Sequence, residues 1–147
     1  MSGEETGSDA AFTPPEGFYM DAGRGPFTSH NGPIYRRDDG ETFEVGLHIL
    51  ERHCNGYGFL HGGMVSAFAD GALAWCVGKA TRRNAVTIRL SLDFLETARI
   101  GDWLVARPTH ISTQGDIVHV EADIIRNNQQ LSAHASGVFH IVRRKPK

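Results

Sequence analysis

The sequence predicts an α+β domain in which an antiparallel β-sheet wraps around one long, buried central helix. Three observations carry that prediction. Residues 60–77, LHGGMVSAFADGALAWCV, place apolar or small side chains around the whole helical circumference, the mark of a helix buried rather than amphipathic. Val86, Ile88, Leu90, Leu92 and Phe94 then share one parity while Thr87, Arg89, Ser91 and Asp93 share the other, the period of a strand. Three further strand-like runs follow, separated by the turn signals Gln114-Gly115-Asp116 and Asn127-Asn128. A helix of ~18 residues is ~27 Å long, and strands of ten to twelve residues reach roughly 33–40 Å. A sheet of such strands can curl lengthwise round such a helix.

Element by element, residues 1–16 are acidic and rich in small residues, bring few large apolar groups to offset ordering entropy, and are expected to form a disordered tail. A single domain is expected over 17–147. Pro15–Asn31 reads as irregular or briefly helical, punctuated by Gly17, Gly23, Gly25 and Pro26. Pro33–Arg37 reads as a short strand and Asp38-Asp39-Gly40 as a turn. Thr42–Leu50 alternates, with Phe43, Val45, Leu47 and Ile49 on one side. The helix is expected from His61 to Gly78 or Lys79, ending before Arg82-Arg83-Asn84. Strands are expected at Val86–Phe94, Asp102–Thr113, Ile117–Arg126 and Gln130–Arg143. No second domain and no internal repeat is legible.

Composition bounds the function. With 147 residues the chain can bury one core, and 40% apolar with 22% charged residues is the balance of a soluble globular protein. A formal net charge of -2 gives no general attraction to nucleic acid, with Arg82-Arg83 and Arg143-Arg144-Lys145 as local exceptions. The N-terminus lacks the basic start and apolar stretch of a signal peptide, and no apolar run approaches the ~20 residues that span a bilayer. A cytoplasmic location with no membrane partner is therefore expected. Two cysteines, Cys54 and Cys76, do not make a disulfide framework. Cys76 lies inside the apolar helix, where it packs as a small hydrophobe and its thiol is pushed up rather than activated. Among eight histidines none has metal-site helical spacing, and no Cys-x2-Cys occurs, so no metal is expected. Ser66 lacks the elbow sequence of serine hydrolases, and Gly56-Tyr57-Gly58 is not a phosphate loop.

The densest local signal is the polar, glycine-rich stretch His53-Cys54-Asn55-Gly56-Tyr57-Gly58-Phe59-Leu60-His61-Gly62-Gly63, followed by Asp70 within the apolar helix. The ordered set Asn55-x5-His61-Gly62-Gly63-x6-Asp70 resembles the active-site signature of the hotdog-fold acyl-CoA thioesterases, in particular their phenylacetate-pathway (PaaI-type) branch. The similarity continues through Ala85–Asp102, with its Gly101-Asp102 turn, and covers roughly Gly32 to Arg144. It implies a hotdog fold and hydrolysis of a small or medium, aliphatic or aromatic acyl-CoA. No cofactor is expected, coenzyme A entering only as part of the substrate.

The residues permit that chemistry and leave alternatives open. Gly costs ~1 kcal/mol against Ala inside a helix, so Gly62-Gly63 at a helix start calls for a reason. The first amides of a helix have no intrahelical partner and the dipole there favours negative charge, so a thioester oxyanion can be received where side chains are absent. Relief of crowding between loop and sheet is the competing reason. Asp70 either hydrogen-bonds structurally or, as the resemblance implies, attacks the thioester carbonyl or activates a water. Asn55 offers an amide to a carbonyl or orients its loop. His61 either donates to substrate or fixes the loop. Thr87 falls where the resemblance implies a hydroxyl that holds the attacking water; otherwise it is a β-branched strand residue. Arg82-Arg83 either contacts coenzyme A phosphates or complements a helix C-terminus.

Asp70 lies eight residues beyond Gly62, ~12 Å along a helix axis, whereas a base or nucleophile must sit about 3 Å from its reacting atom. Both groups of one chain cannot serve one carbonyl. Two antiparallel helices can, so a homo-oligomer, a dimer or a dimer of dimers, is expected with its site shared between chains. Rival readings are a hydratase or dehydratase of acyl thioesters on the same fold, and a non-catalytic acyl-CoA-binding module.

Overall fold

The structure is a computed structural model that describes residues 12–22 and 25–143. Its strands are β1 (Tyr19–Asp21), β2 (Ile34–Asp38), β3 (Phe43–His48), β4 (Ala85–Phe94), β5 (Trp103–Gln114), β6 (Ile117–Arg126) and β7 (Gln130–Ile141). A short helix α1 (Pro26–Asn31) precedes β2, a single 3-10 turn covers Glu51–His53, and the long helix α2 (Gly62–Thr81) stands between β3 and β4. The strands form one sheet in the order β1-β2-β3-β5-β6-β7-β4, with all neighbours antiparallel. The expected strand, strand, helix and four-strand sequence is present with boundaries within about two residues. β1 was not expected, its three residues being too short to alternate. Most of the expected tail, residues 1–11, lies outside the described residues. Phe12 is described, and its ring stacks on His48 with centroids 3.8 Å apart.

The sheet closes round α2 because its inner parity is apolar. Val118, Val120, Ala122 and Ile124 of β6 and Ala133, Ala135, Phe139 and Ile141 of β7 are buried, alternating with more exposed neighbours. They meet Phe68, Leu73, Cys76 and Val77 of α2 in one core with Leu47, Ile49 and Leu104. The β5–β6 turn has Gly115 at φ +62°, as a II′ hairpin requires at its first central position. Outside the sheet, a second cluster of Phe12, Phe18 and Tyr35 gathers on Trp103.

Trp103 fits there because Gly46 lies beneath it; a Cβ on Gly46 would fall inside the indole. Gly46→Ala is therefore expected to lower stability by about 1–3 kcal/mol through overpacking. Urea unfolding of the purified variant measures it, and an unchanged midpoint would contradict this packing.

Two expectations need correction. Helix α2 is not buried all round: Ala67, Asp70, Ala74 and Gly78 are half-buried and Gly71 is exposed, a stripe at helical spacing. Its residues are small, so a count of apolar positions treats them as core although they carry little surface to bury. Strand β4 does not keep its two-residue alternation either. Its pairing with β7 slips between Thr87 and Arg89, so that Thr87 opposes Phe139 and Leu90 opposes Gly137. The bulge leaves Ile88 as the extra residue and places Thr87 on the same inner face as Leu90 and Leu92. Val86 and Ile88 stand 55% and 56% exposed instead.

Candidate active site

The loop before α2 is shaped by Asn55. Its Oδ1 accepts the backbone N–H groups of Tyr57 (2.9 Å) and Phe59 (3.2 Å), while its own N–H donates to the Phe59 carbonyl (2.8 Å). Gly58, at φ +83°, donates back to the Asn55 carbonyl (3.0 Å) and closes the turn. The side-chain oxygen is thus used within the loop, and the NH2 group is what Asn55 has left to offer a ligand.

His61 caps the helix that follows. Its Nδ1 accepts the Gly63 N–H at 2.8 Å, and its carbonyl accepts from Met64 and Val65. A Cβ on Gly63 would lie 2.9 Å from that Nδ1, so Gly63 is glycine to admit the capping imidazole, and its amide is not available to a substrate. Because Nδ1 accepts, the neutral ring carries its proton on Nε2. Gly62 differs from its neighbour. Its N–H has no acceptor among the described residues, its position is exposed, and an added Cβ would meet only the Phe94 ring at 3.9 Å. The first amide of α2 is the one left open at the positive end of the helix.

His53 begins the stretch singled out in the sequence yet stood there without a role. Its ring is 2% exposed, with Nδ1 accepting the Leu50 N–H at 3.0 Å and Nε2 2.6 Å from the Asn31 carbonyl. Its own carbonyl accepts the His61 N–H (2.9 Å). It therefore ties the end of α1 to the start of α2, a role no sequence spacing signals because Asn31 is brought to it by the fold.

Two turns further along α2, Asp70 receives the Thr87 hydroxyl: Oγ1 donates to Oδ1 at 2.6 Å. The β4 bulge makes that contact possible. Asp70 also lines a cavity of about 290 Å³ between α1, β2, β3 and α2. Arg82 and Arg83 lie a further ~18 Å along the helix axis from Asp70. Arg82 occupies the C-cap position at φ +59°, and both arginines line a cavity of about 1000 Å³ with Lys79 and Asn84. Lys79 is paired to Asp38 (2.5 Å), whereas neither arginine is in an ion pair among the described residues. The site residues thus fall into three groups: Asn55, His61, Gly62 and Gly63 at the helix start; Asp70 with Thr87 at its middle; Arg82 and Arg83 at its end.

Other candidates are accounted for. Burial pushes the Cys76 thiol up to about 12, away from a nucleophile's range. Asp102 accepts the Arg99 N–H (2.9 Å) and the Asn127 side-chain N–H (3.1 Å), so it shapes its turn. His134 bridges Asp123 and Glu121 at 3.0 Å each on the outer sheet face. Among the described residues, no group of three or more His, Cys, Asp or Glu is placed to hold a metal ion, and no helix is long and apolar enough to cross a membrane.

Comparison with known proteins gives consistent findings. The family model described as the thioesterase superfamily matches residues 57–133. A Pseudomonas aeruginosa protein named for an inferred esterase activity is 35% identical over 130 residues, covering 86% of this chain and 96% of its own. The Escherichia coli PaaI protein, from the phenylacetic acid degradation operon, superposes with a TM-score of 0.64 at 25% identity, over 69% of this chain and 73% of that one. A Haemophilus influenzae thioesterase superposes with a TM-score of 0.73 at 21% identity, over 82% and 85% of the two chains.

Proposed function

The chain belongs to the thioesterase superfamily of thioester hydrolases, and we propose that it hydrolyses acyl-CoA thioesters at a site shared between two copies of itself. The observation that carries this reading is the oriented carboxylate of Asp70, held by Thr87 at 2.6 Å at the edge of a cavity. An open helix-terminal amide at Gly62 lies in the same chain, ~12 Å away along the axis.

In this reading the Gly62 N–H of one copy receives the thioester oxygen, with the Asn55 amide beside it and the His61 imidazole fixing the helix start. Asp70 of the second copy faces the carbonyl carbon. It takes a proton from a water whose oxygen forms the new C–O bond, or attacks the carbonyl directly and is released by water afterwards. In either route the C–S bond breaks, the sulfur leaves as thiolate and is protonated, and the products are a carboxylic acid and free coenzyme A. Arg82 and Arg83, in no close ion pair among the described residues, are proposed to contact coenzyme A phosphates.

The sheet edge supports a second copy. Strand β4 ends the sheet and pairs only with β7. Val86, Ile88, Phe94 and Leu95 along it are each more than half exposed, and Phe94 approaches Gly62. A ten-residue edge strand that carries exposed apolar side chains is an open template for another strand. A two-fold pairing there makes each copy contribute to both sites.

The direct test mixes purified protein with a panel of acyl-CoAs and a thiol reagent. Release of free thiol supports the reading, and binding without release overturns it in favour of a binding module. Thr87→Val separates positioning from packing at this site. It should lower kcat about tenfold with little change in KM, because only the hydroxyl that orients Asp70 is lost. A lowered melting temperature with normal kcat would contradict that role.

A further inference from the structure

We propose that the second copy pairs with β4 in one register, centred on Ser91, in which Arg89 of each copy meets Asp93 of the other. This rests on the two-copy reading above and deepens it by fixing how the copies join. Along the outer side of β4 stand Arg89, Ser91 and Asp93, all exposed. Their neighbours in β7 are Val138, Ser136 and His134. Neither Arg89 nor Asp93 is in a close ion pair among the described residues. His134 does not serve Asp93, because its two ring nitrogens are held by Asp123 and Glu121 at 3.0 Å each. Two opposite charges therefore stand four residues apart on the sheet edge, with the uncharged Ser91 midway between them.

Two-fold symmetry makes that spacing specific. A two-fold axis normal to the sheet sets residue i of one β4 opposite residue j of the other, and j opposite i. It keeps both α2 helices on one side of the joined sheet, so outer residues face only outer residues and the axis passes through a residue. Opposite charges directly across an antiparallel pair stabilise it, and like charges weaken it. With the axis at Ser91, both copies match Arg89 to Asp93. Axes at Arg89 or at Asp93 set that residue against its own copy, like against like. Axes at Leu90 or Leu92 leave both charges opposite uncharged residues.

The same register assembles the catalytic centre through a different set of contacts. It sets Leu90 opposite Leu92 of the second copy on the inner face, where both pack against the core. It also brings Phe94 of one copy to the Thr87–Ile88 bulge of the other. A Phe94 ring carbon lies 3.9 Å from where a Cβ on Gly62 would be, and Thr87 holds Asp70. The end of β4 beside the open amide is thus delivered to the end beside the carboxylate. The ~12 Å separation along α2 requires that juxtaposition, and it is reached here from charges that take no part in it.

The experiment reads the register by cysteine cross-linking and by charge exchange. Ser91→Cys, Arg89→Cys and Asp93→Cys are each oxidised with diamide and run on a non-reducing gel. Directly opposed Cα atoms in an antiparallel pair are about 4.5–5.5 Å apart, within disulfide range. Ser91→Cys is expected to run mainly as covalent dimer. In the other two the matching cysteines are offset by roughly 13 Å, out of reach, and the chains are expected to run as monomers. Arg89→Asp and Asp93→Arg are each expected to weaken self-association about tenfold at low salt. An equimolar mixture of these two is expected to associate as tightly as wild type, because each chain meets its complement in charge. Sedimentation velocity over a dilution series measures both. Should the Ser91→Cys pair be too strained to close, the charge exchange decides alone. Cross-linking of Arg89→Cys or Asp93→Cys in place of Ser91→Cys, or a mixture no tighter than its components, overturns the register. A wild-type protein that sediments as a monomer overturns the two-copy reading itself, so the two failures are distinguishable.

Discussion

Asp70→Asn is expected to lower kcat by ~100-fold or more, a barrier increase above ~2.7 kcal/mol, while leaving the fold intact. The substitution keeps the size of the side chain and keeps an oxygen that can accept the Thr87 hydroxyl, now 2.6 Å from Oδ1. What it removes is the charge, and with it the capacity to take a proton or attack a carbonyl. General-base catalysis is worth about 10²–10⁴-fold, so a structural carboxylate and a reacting one give clearly different outcomes. Steady-state turnover with circular dichroism of the same sample measures both. A variant that keeps more than about a tenth of wild-type kcat would show that Asp70 does not react.

Gly62→Pro is expected to abolish most activity by removing one hydrogen atom. Proline is favoured at the first position of a helix, where its missing N–H would have had no intrahelical partner. Gly62 is that position, and the preceding His61 is at φ -66°, ψ 134°, the extended conformation that a residue before proline adopts. The helix should therefore start as before, without the one open amide that can receive an oxyanion. Loss of a single such donor costs about 10²–10³-fold in kcat. Gly62→Ala is the control, since an added Cβ meets only the Phe94 ring at 3.9 Å and the amide stays. Equal losses in the two variants would mean that space, not the amide, matters at this position.

The sheet order itself was not legible, but its elements other than β1 were. Alternation at β6 and β7 translates directly into burial, because one apolar face has a single place to go, and the large apolar residues of α2 go to the same core. The β4 bulge was not legible. Val86 and Ile88 match the parity of Leu90 and Leu92 in sequence, and only the pairing with β7 reveals the extra residue that turns Thr87 inward. The open stripe of α2 was hidden for a related reason, small residues being compatible with either a tight core or a cleft. At the site, the types of the residues pointed to their places while their division of labour did not. Gly62 and Gly63 look equivalent in sequence, yet the imidazole of His61 occupies one amide and leaves the other. His53 was invisible as a positioning residue because its partner Asn31 lies 22 residues away.

The central claim is that one catalytic centre draws Gly62 from one chain and Asp70 from another, and mixing two inactive chains tests it most directly. Asp70→Asn and Gly62→Pro chains, carrying different affinity tags, are refolded together and the heterodimer is isolated by both tags. In a shared site one centre of each heterodimer unites the intact amide of the first chain with the intact carboxylate of the second, and the other centre holds both substitutions. The heterodimer is then expected to recover about half of wild-type activity, from parents that are each nearly inactive. A purified heterodimer as inactive as its parents would place both groups of each centre in one chain and contradict the account.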